Sequence, residues 1–140
     1  LWGIGGSGDW VWISFLRGLH PIFMDAYDTD FYPSEFTQWN PLRAAMGHTR
    51  SYAGRLDLAR AEPRGDLASS GFCLAVPGSQ YVVYTAGSDV TLDLGDASGT
   101  LQVEWLDVAT GDVQSGSPVD GGAPVTLSPP GGGSAVAFVE

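Results

Sequence analysis

Two carboxylates and a phenol follow a short apolar run near the start of the chain. In the stretch HPIFMDAYD, residues 20–28, Asp25, Tyr27 and Asp28 come directly after Ile-Phe-Met. Hydrolysis of a glycosidic bond needs two carboxyl groups that face each other across the substrate. Asp25 and Asp28 are close neighbours on one loop and need not face each other, so we predict no catalytic residue here. Turn formation is the alternative interpretation for the two acids.

Aromatic side chains are concentrated just after these carboxylates. Aromatic rings stack on sugar rings and line binding pockets. They also pack loops against a scaffold, which is their commoner use, so both interpretations stay open for this loop. Its aromatic residues are Tyr27, Phe31, Tyr32, Phe36 and Trp39.

We predict no metal site and no cofactor. His20 precedes a proline and His48 lies beside the apolar stripe of a predicted helix, so both are expected to be structural. Cys73 is the single cysteine, and its apolar surroundings in sequence predict a small buried thiol. The acids within residues 89–96 do not have the spacing of a calcium-binding loop, and we expect them on the outer face of a strand.

Charge is distributed unevenly along the chain. Sixteen acids stand against six arginines and no lysine, which gives a formal net charge of −10. All six arginines precede Gly65, whereas nine of the acids follow it. Such a surface repels phosphate groups, so we expect neither nucleic acid nor membrane as a partner. The start at Leu1, with no initiator Met and no signal-peptide pattern, is expected to reflect processing or truncation.

The patterns before residue 64 are helical, with one strand between two helices. Asp9 can cap a helix over residues 10–16, which Gly18 can end. This helix is apolar almost all round, so we expect it to be buried on several sides. A short strand over residues 22–24 follows, and no neighbouring segment is expected to pair with it.

A second helix is predicted after the aromatic loop. Asn40 can act as its N-cap, and Pro41 fits the first turn, where a missing N–H costs nothing. An apolar stripe at helical spacing continues to Leu56, and the unit ends at Pro63. Helix, strand, loop and helix in this order are typical of part of an alternating α/β fold.

After Gly65 the apolar period drops to two, as expected for strands. Residues 72–76 form one apolar run and Tyr81–Tyr84 the next. Trp105 alternates with polar neighbours and is predicted to lie in a core. The final strand is expected over 135–139. About seven short strands separated by Gly/Pro turns predict an antiparallel β-sandwich, so the predicted fold class is mainly β.

Several stretches together resemble the C-terminal end of a bacterial family of apiosidase-like TIM-barrel glycoside hydrolases. These proteins carry an appended β-sandwich that is named for collagen binding. The most specific stretches are HPIFMD-YD, AMGHTR and GFCLA-PG with the following YVVY. The resemblance covers nearly the whole chain from about Asp9. It implies that residues 1–64 are the last strand and flanking helices of a (β/α)8 barrel, and that residues 65–140 are the sandwich.

The resemblance also bears on the candidate site. The active sites of such barrels are built at the C-terminal ends of the strands. Asp25, Tyr27, Asp28 and Trp39 are therefore predicted to line a sugar pocket of the larger protein. The paired catalytic carboxylates of the family lie on earlier barrel strands, and no position of this sequence matches them.

Three functions follow as hypotheses. The first is a non-catalytic C-terminal portion of a glycoside hydrolase-like protein, in which the sandwich packs on the barrel and stabilises it. The second is an accessory module that binds carbohydrate or collagen, for which exposed rings at Tyr81 and Tyr84 would argue. Hydrolysis by this chain alone is the third and least favoured.

The expected partners follow from the same reasoning. Apolar residues of the first helix and strand should be covered by the remaining barrel or by a second chain, so self-association is expected. A polysaccharide is a further candidate partner. A secreted or periplasmic bacterial location is one expectation, but cysteine usage does not decide it.

Overall fold

The computed structural model describes residues 2–3, 7–23 and 39–140. Two α-helices, a short 3-10 helix at Gly65–Leu67 and twelve strands lie in these ranges. The helices are α1, Gly8–Leu16, and α2, Asn40–Arg55. The strands are β1 Trp2–Gly3, β2 Ile22–Phe23, β3 Glu62–Pro63, β4 Cys73–Val76, β5 Gln80–Thr85, β6 Val90–Asp93, β7 Thr100–Leu101, β8 Val103–Asp107, β9 Val113–Ser115, β10 Val119–Asp120, β11 Pro124–Leu127 and β12 Ala135–Val139.

The first part of the chain forms a strand–helix–strand–helix unit. Strand β1 pairs in parallel with β2, with Trp2 opposite Ile22 and Gly3 opposite Phe23. The expectation that β2 has no pairing strand is therefore wrong, because a two-residue strand at the start of the chain gives too little pattern to be recognised. Met24, the last residue of the predicted strand, lies outside the described residues.

Both helices lie where the sequence predicts them, but their N-terminal caps differ. Helix α1 is capped by Ser7, whose hydroxyl accepts a hydrogen bond from the backbone N–H of Trp10, and Asp9 lies in the first turn. Helix α2 begins at Asn40 itself, with Pro41 in its first turn and no side-chain cap. The Asn40 side chain accepts a hydrogen bond from Arg43 instead.

A six-stranded antiparallel sheet forms the centre of the structure. Its strand order is β3-β4-β5-β12-β8-β9. One row across the four middle strands runs Leu74, Val82, Phe138 and Glu104. Strand β12 thus lies between β5 and β8, which are not its neighbours in sequence.

The two faces of this sheet belong to two different cores. Tyr81 and Val83 point into the sandwich core. The two-stranded sheets formed by β6 with β11 and by β7 with β10 cover the other side of this core. Val82 and Tyr84 point the opposite way, into a second core with α1 and α2. Every residue of β4 and β12 is buried. The sheet is therefore the shared wall between the sandwich and the helices.

The mainly β fold is confirmed, with two refinements. The alternating stretch over residues 101–105 that contains Trp105 is divided between β7, which pairs with β10, and β8, which pairs with β12. Strands β3 and β10 were not predicted, since each is two residues long and β3 contains Pro63 at a sheet edge. Trp105 is buried in the sandwich core, as predicted. No helix in the described ranges is long and apolar enough to cross a membrane.

Gly111 allows a turn of the sandwich to approach helix α2. It follows β8 with φ +78°, and a Cβ at this position would overlap the imidazole of His48. Gly99 has nearly the same φ of +77°, but a Cβ there would meet nothing within 4 Å. Comparing alanine substitutions at the two glycines therefore separates the free-energy cost of the left-handed backbone from the cost of the contact with His48.

We predict that Gly111→Ala destabilises the protein more than Gly99→Ala. Both substitutions cost about 1–2 kcal/mol for an L-residue in the left-handed conformation. Only Gly111→Ala also pushes His48 away from the turn. Urea unfolding measures the difference, and His48→Ala in the Gly111→Ala background should recover part of it. Equal losses at the two glycines would show that the His48 contact contributes nothing.

Candidate functional site

Three of the four predicted site residues, Asp25, Tyr27 and Asp28, lie outside the described residues. The fourth, Trp39, lies directly before α2 and is half-buried. Its ring packs on Phe23 of β2, with the ring centroids 5.3 Å apart. The guanidinium of Arg43 lies 5.8 Å from the centroid of the Phe23 ring. These contacts place Trp39 at the end of β2, beside a cation and a second aromatic ring.

Phe23, Trp39 and Arg43 form a cluster of residue types that are suited to line a binding site for a polar ligand. Flat rings offer stacking surface, and a guanidinium offers several N–H donors in a fixed plane. The described residues contain no group of three or more His, Cys, Asp or Glu side chains that could hold a metal ion. The cluster can therefore position a ligand, but its own side chains include no acid or base for hydrolysis.

A second polar cluster joins α2 to the sandwich, and the sequence did not predict it. The hydroxyl of Tyr52 donates to Glu104 on β8 at 2.8 Å. Arg55 also donates to the Glu104 carboxylate, and its other terminal nitrogen lies 3.4 Å from Glu140. Glu104 lies in the helix-facing row of the sheet, so its carboxylate meets α2 directly.

The pKa values in this cluster follow from its geometry. Burial raises the pKa of the Tyr52 hydroxyl, and the neighbouring Glu104 carboxylate raises it further, so the hydroxyl remains a donor. Partial burial acts to raise the pKa of Glu104. Hydrogen bonds from Arg55 and Tyr52, with the charge of Arg55, outweigh that effect and leave its pKa below the ordinary value. Glu104 is therefore a carboxylate with a structural role, unlike a catalytic acid.

Aromatic rings fill the space beneath this polar cluster. Tyr52 stands edge-on to Trp12 of α1 at 5.3 Å between centroids and to Phe138 of β12 at 5.7 Å. Arg55 covers the Phe138 ring at 4.3 Å from its centroid. Such edge-to-face pairs contribute about 0.5–1.5 kcal/mol beyond burial alone. The interface between helices and sheet is thus an apolar core closed by a charged rim.

Gln80 gives α2 a C-terminal cap from the sandwich. Its side-chain N–H donates to the backbone carbonyl of Arg55 at 3.1 Å, and its side-chain oxygen accepts from the backbone N–H of Asp57 at 3.0 Å. Helix ends leave backbone carbonyls without partners. The side-chain amide of the first residue of β5 therefore satisfies the end of α2 and fixes the chain that leaves it.

Helix α1 is joined to the sheet in a similar way at its N-terminal end. The hydroxyl of Tyr84 lies 3.0 Å from Asp9 Oδ1 and 3.3 Å from Ser134 Oγ. Gly8 packs so closely on Val108 that a Cβ would lie 2.9 Å from its side chain. Asp9 thus links α1 to the sandwich in addition to its place in the first helical turn.

The remaining candidate residues have structural surroundings. Cys73 is buried in β4, and burial raises the pKa of its thiol to about 12, which disfavours the nucleophilic thiolate. His48 packs on Gly111. His20 is exposed, in the segment between α1 and β2. These surroundings agree with the structural roles expected for the cysteine and for His48.

Exposed rings at Tyr81 and Tyr84 would indicate a sugar-binding face on the sandwich. Opposite strand parity suggested that one of the two could be exposed. Both are buried, at 1% and 5% exposure, because each face of the sheet is covered. The Tyr81 hydroxyl accepts a hydrogen bond from the backbone N–H of Gly78 at 2.8 Å. The exposed pair that would indicate a binding platform is absent from residues 65–140.

Comparisons with solved structures find this fold in proteins described as glycoside hydrolases. One solved structure, described as a glycoside hydrolase, matches 97% of this chain with a TM-score of 0.74 and 11% identity. A glycoside hydrolase family 5 protein from Bacteroides vulgatus ATCC 8482 matches 67% of the chain with a TM-score of 0.57 and 14% identity. The chain has a glycoside hydrolase-like fold. No protein-family model and no curated protein matches the sequence.

The matches also give the extent of this fold. The chain spans 37% of the first matching structure and 23% of the second. At 11% and 14% identity the likeness concerns the fold alone. The division of the chain at residues 64 and 65 remains a prediction, and β3 pairs with β4 across it.

We predict that Glu104→Gln lowers stability at neutral pH by about 0.5–1.5 kcal/mol, since it removes the charge of a partly exposed ion pair and leaves the Tyr52 hydroxyl with a weaker, uncharged acceptor. A carboxyl whose folded pKa is lowered stabilises the fold above its unfolded pKa and loses that contribution as the pH falls through the folded value. The difference between wild type and Glu104→Gln should therefore shrink as the pH falls below the ordinary glutamate pKa of about 4.3, and it should disappear once the pH is below the lowered folded value. Urea unfolding at several pH values measures it.

Glu140→Gln is the matched control for this prediction. Glu140 also pairs with Arg55, but at 3.4 Å and with 46% of its side chain exposed. We expect its effect to be smaller at every pH. An effect of Glu104→Gln that does not change with pH would contradict the role assigned to its charge.

Proposed function

We propose that this chain is the C-terminal portion of a glycoside hydrolase-like protein, in which the β-sandwich packs on the end of the catalytic barrel and stabilises it without catalysing the reaction. One observation carries the proposal. The central sheet of the sandwich covers one side of α1 and α2 with a continuous apolar core, in which Trp12 is fully buried.

The order of elements supports the barrel part of the proposal. Parallel strands β1 and β2 are connected by α1, and α2 follows β2. This is the repeating unit of a (β/α)8 barrel. The matching structures described as glycoside hydrolases support the same assignment. The quoted stretches favour the apiosidase-like family within that class.

The candidate pocket fits the same proposal. Asp25, Tyr27 and Asp28 follow β2 in sequence, and Trp39 packs at its end on Phe23. In a barrel this end of the strand faces the active site. We propose that these residues line the sugar pocket of the larger protein, while the acid and nucleophile come from other barrel strands.

A stabilising role is favoured over the accessory binding module named as the alternative. Carbohydrate-binding faces use exposed rings, and four of the five aromatic residues after Gly65 are buried. The fifth, Phe72, is half-buried and lies under the guanidinium of Arg17 at 5.0 Å from the ring centroid. The rings of the sandwich are thus used for packing.

We predict that Phe138→Ala uncouples the helices from the sheet. Loss of this ring from a core costs about 3–5 kcal/mol, and amides of α1 and α2 should lose hydrogen-exchange protection before those of β6 and β11. Leu127→Ala, in the sandwich core on β11, is the matched control and should show the reverse order. Phe138→Leu serves if the alanine variant does not fold. If hydrogen-exchange protection is lost in the helices and in β6 and β11 at the same time, the helices do not open independently of the sandwich.

We further predict that the 140-residue chain binds neither a glycan array nor collagen, and that it does not hydrolyse aryl glycosides. The longer natural polypeptide, if the proposal holds, hydrolyses a glycoside, and Trp39→Ala in that polypeptide raises KM. Saturable binding of a glycan by the chain alone would favour the accessory module instead.

A further inference from the structure

A pocket of about 290 Å³ lies where the N-terminal ends of both helices meet the sandwich. Helix α1 contributes its cap residue and its first turn, and α2 contributes the proline of its first turn. The facing wall comes from the segment between β8 and β9 and from the residue before β12. We call this space the junction pocket, and its walls include Ser7, Asp9, Pro41, Val108, Ala109 and Ser134.

Hydrogen bonds already orient the polar groups of the junction pocket. The hydroxyl of Tyr84 donates to Asp9 Oδ1 at 3.0 Å, and the hydroxyl of Ser7 donates to Asp9 Oδ2 at 3.4 Å. Ser134 Oγ lies 3.3 Å from the Tyr84 oxygen. A carboxylate has about four acceptor positions, and a hydroxyl can both donate and accept. Asp9, Ser7 and Ser134 therefore keep hydrogen-bonding capacity for a ligand.

The walls of the junction pocket are held together without a ligand. Gly8 of α1 lies against the sandwich, where an added Cβ would be 2.9 Å from the Val108 side chain and 3.2 Å from the Val108 carbonyl oxygen. The backbone N–H of Val108 donates in turn to the carbonyl of Ser134 at 3.0 Å. A pocket that is already formed loses less free energy to ordering when a ligand binds.

A sugar residue matches this set of groups. Its hydroxyls can donate to the Asp9 carboxylate and accept from Ser134, while its C–H groups contact Pro41 and Ala109. Small-molecule pockets commonly combine an apolar lining with a few placed polar groups. An anion would instead meet the like charge of Asp9. A calcium ion needs about six to eight oxygen ligands, whereas Asp9 is the one carboxylate among the described residues that line the pocket.

The junction pocket lies beside the candidate sugar pocket. Trp39 directly precedes α2 and its ring packs on Phe23 of β2, whereas Pro41 lines the junction pocket. Consecutive Cα atoms are about 3.8 Å apart, so the Cα atoms of Trp39 and Pro41 are at most about 7.6 Å apart. A glycan bound against Trp39 can therefore continue across the first turn of α2 into the junction pocket.

We propose that the junction pocket is a distal subsite, which binds one sugar residue of an oligosaccharide or polysaccharide substrate while the bond to be cleaved lies in the pocket beside Trp39. This inference rests on the proposed function and names its substrate class, a glycan chain longer than a simple glycoside. The sandwich supplies one wall of the subsite and the helices supply the other. It therefore contributes to binding as part of the larger protein, and the chain alone is not expected to retain a glycan.

Steady-state kinetics of the full natural polypeptide test the proposal. Aryl glycosides identify the sugar that is hydrolysed, and short and long oligosaccharides of that sugar are then compared. Ala109→Leu fills the junction pocket, and Ser134→Ala removes one of its hydroxyls. The matched controls are Ala123→Leu and Ser128→Ala, at exposed positions that do not line the pocket. Urea unfolding shows whether each variant is folded.

Ser134→Ala should raise KM for the long oligosaccharide about twofold to tenfold relative to KM for the aryl glycoside, because one lost hydrogen bond changes affinity by about this factor. Ala109→Leu should change the same ratio at least as much, and it decides the question if Ser134→Ala does not fold. The value of kcat for the long oligosaccharide should change less than KM, because the bond is cleaved elsewhere. Both control variants should leave the ratio of KM values unchanged.

An unchanged KM ratio in both pocket variants, with aryl glycosides still hydrolysed, would show that no sugar occupies the junction pocket, and the proposed function would stand. An equal rise of KM for short and long substrates would also overturn the proposal, because it would assign these residues to support of the active site. A polypeptide that hydrolyses no glycoside would refute the proposed function and this inference with it.

Discussion

The structure depends on one constraint, which is that the central sheet is apolar on both faces. Strands β4, β5 and β12 bury side chains on either side. An antiparallel sheet usually exposes one face to water. Here the second face would expose Val82, Val136 and Phe138 if α1 and α2 were removed. The sandwich therefore needs the helices as much as the helices need the sandwich.

Polar contacts at the edge of this core determine the orientation of the helices. Apolar packing is non-directional, whereas the hydrogen bonds of Tyr52, Gln80 and Tyr84 each join one atom of the sandwich region to one atom of a helix or its exit. Partly exposed ion pairs such as Arg55–Glu104 contribute little energy on their own. Their value lies in fixing the rotation of α2 on the sheet.

Local patterns were sufficient to predict much of the fold. The final strand over 135–139, the buried Trp105 and the start of α2 near Asn40 are found as expected. These features depend on residues close in sequence. The continuous apolar run at 73–76 was also a signal that both faces are buried, and it would have predicted that neither Tyr81 nor Tyr84 is exposed.

The features that sequence reasoning missed depend on distant residues. Glu104 and Tyr52 are 52 positions apart, and no local pattern relates them. Helical spacing from Ala45 through Thr49 to Tyr52 could have placed the tyrosine on the buried stripe. Pairing of β1 with β2 was missed because two residues carry no period. Sequence reasoning could predict the candidate pocket only as four residues that lie near each other along the chain. Of these four, only Trp39 is among the residues that the structure describes.

The position of β12 has a consequence for how the chain folds during synthesis on the ribosome. Strand β12 is made after the other described strands, yet it pairs with both β5 and β8. At typical translation rates about 3–10 s separate the synthesis of β5 from that of β12. Throughout this interval β5 has an open edge, and a truncated nascent chain would present it to other polypeptides. The open edge of β5 should therefore be a target for chaperones until β12 emerges.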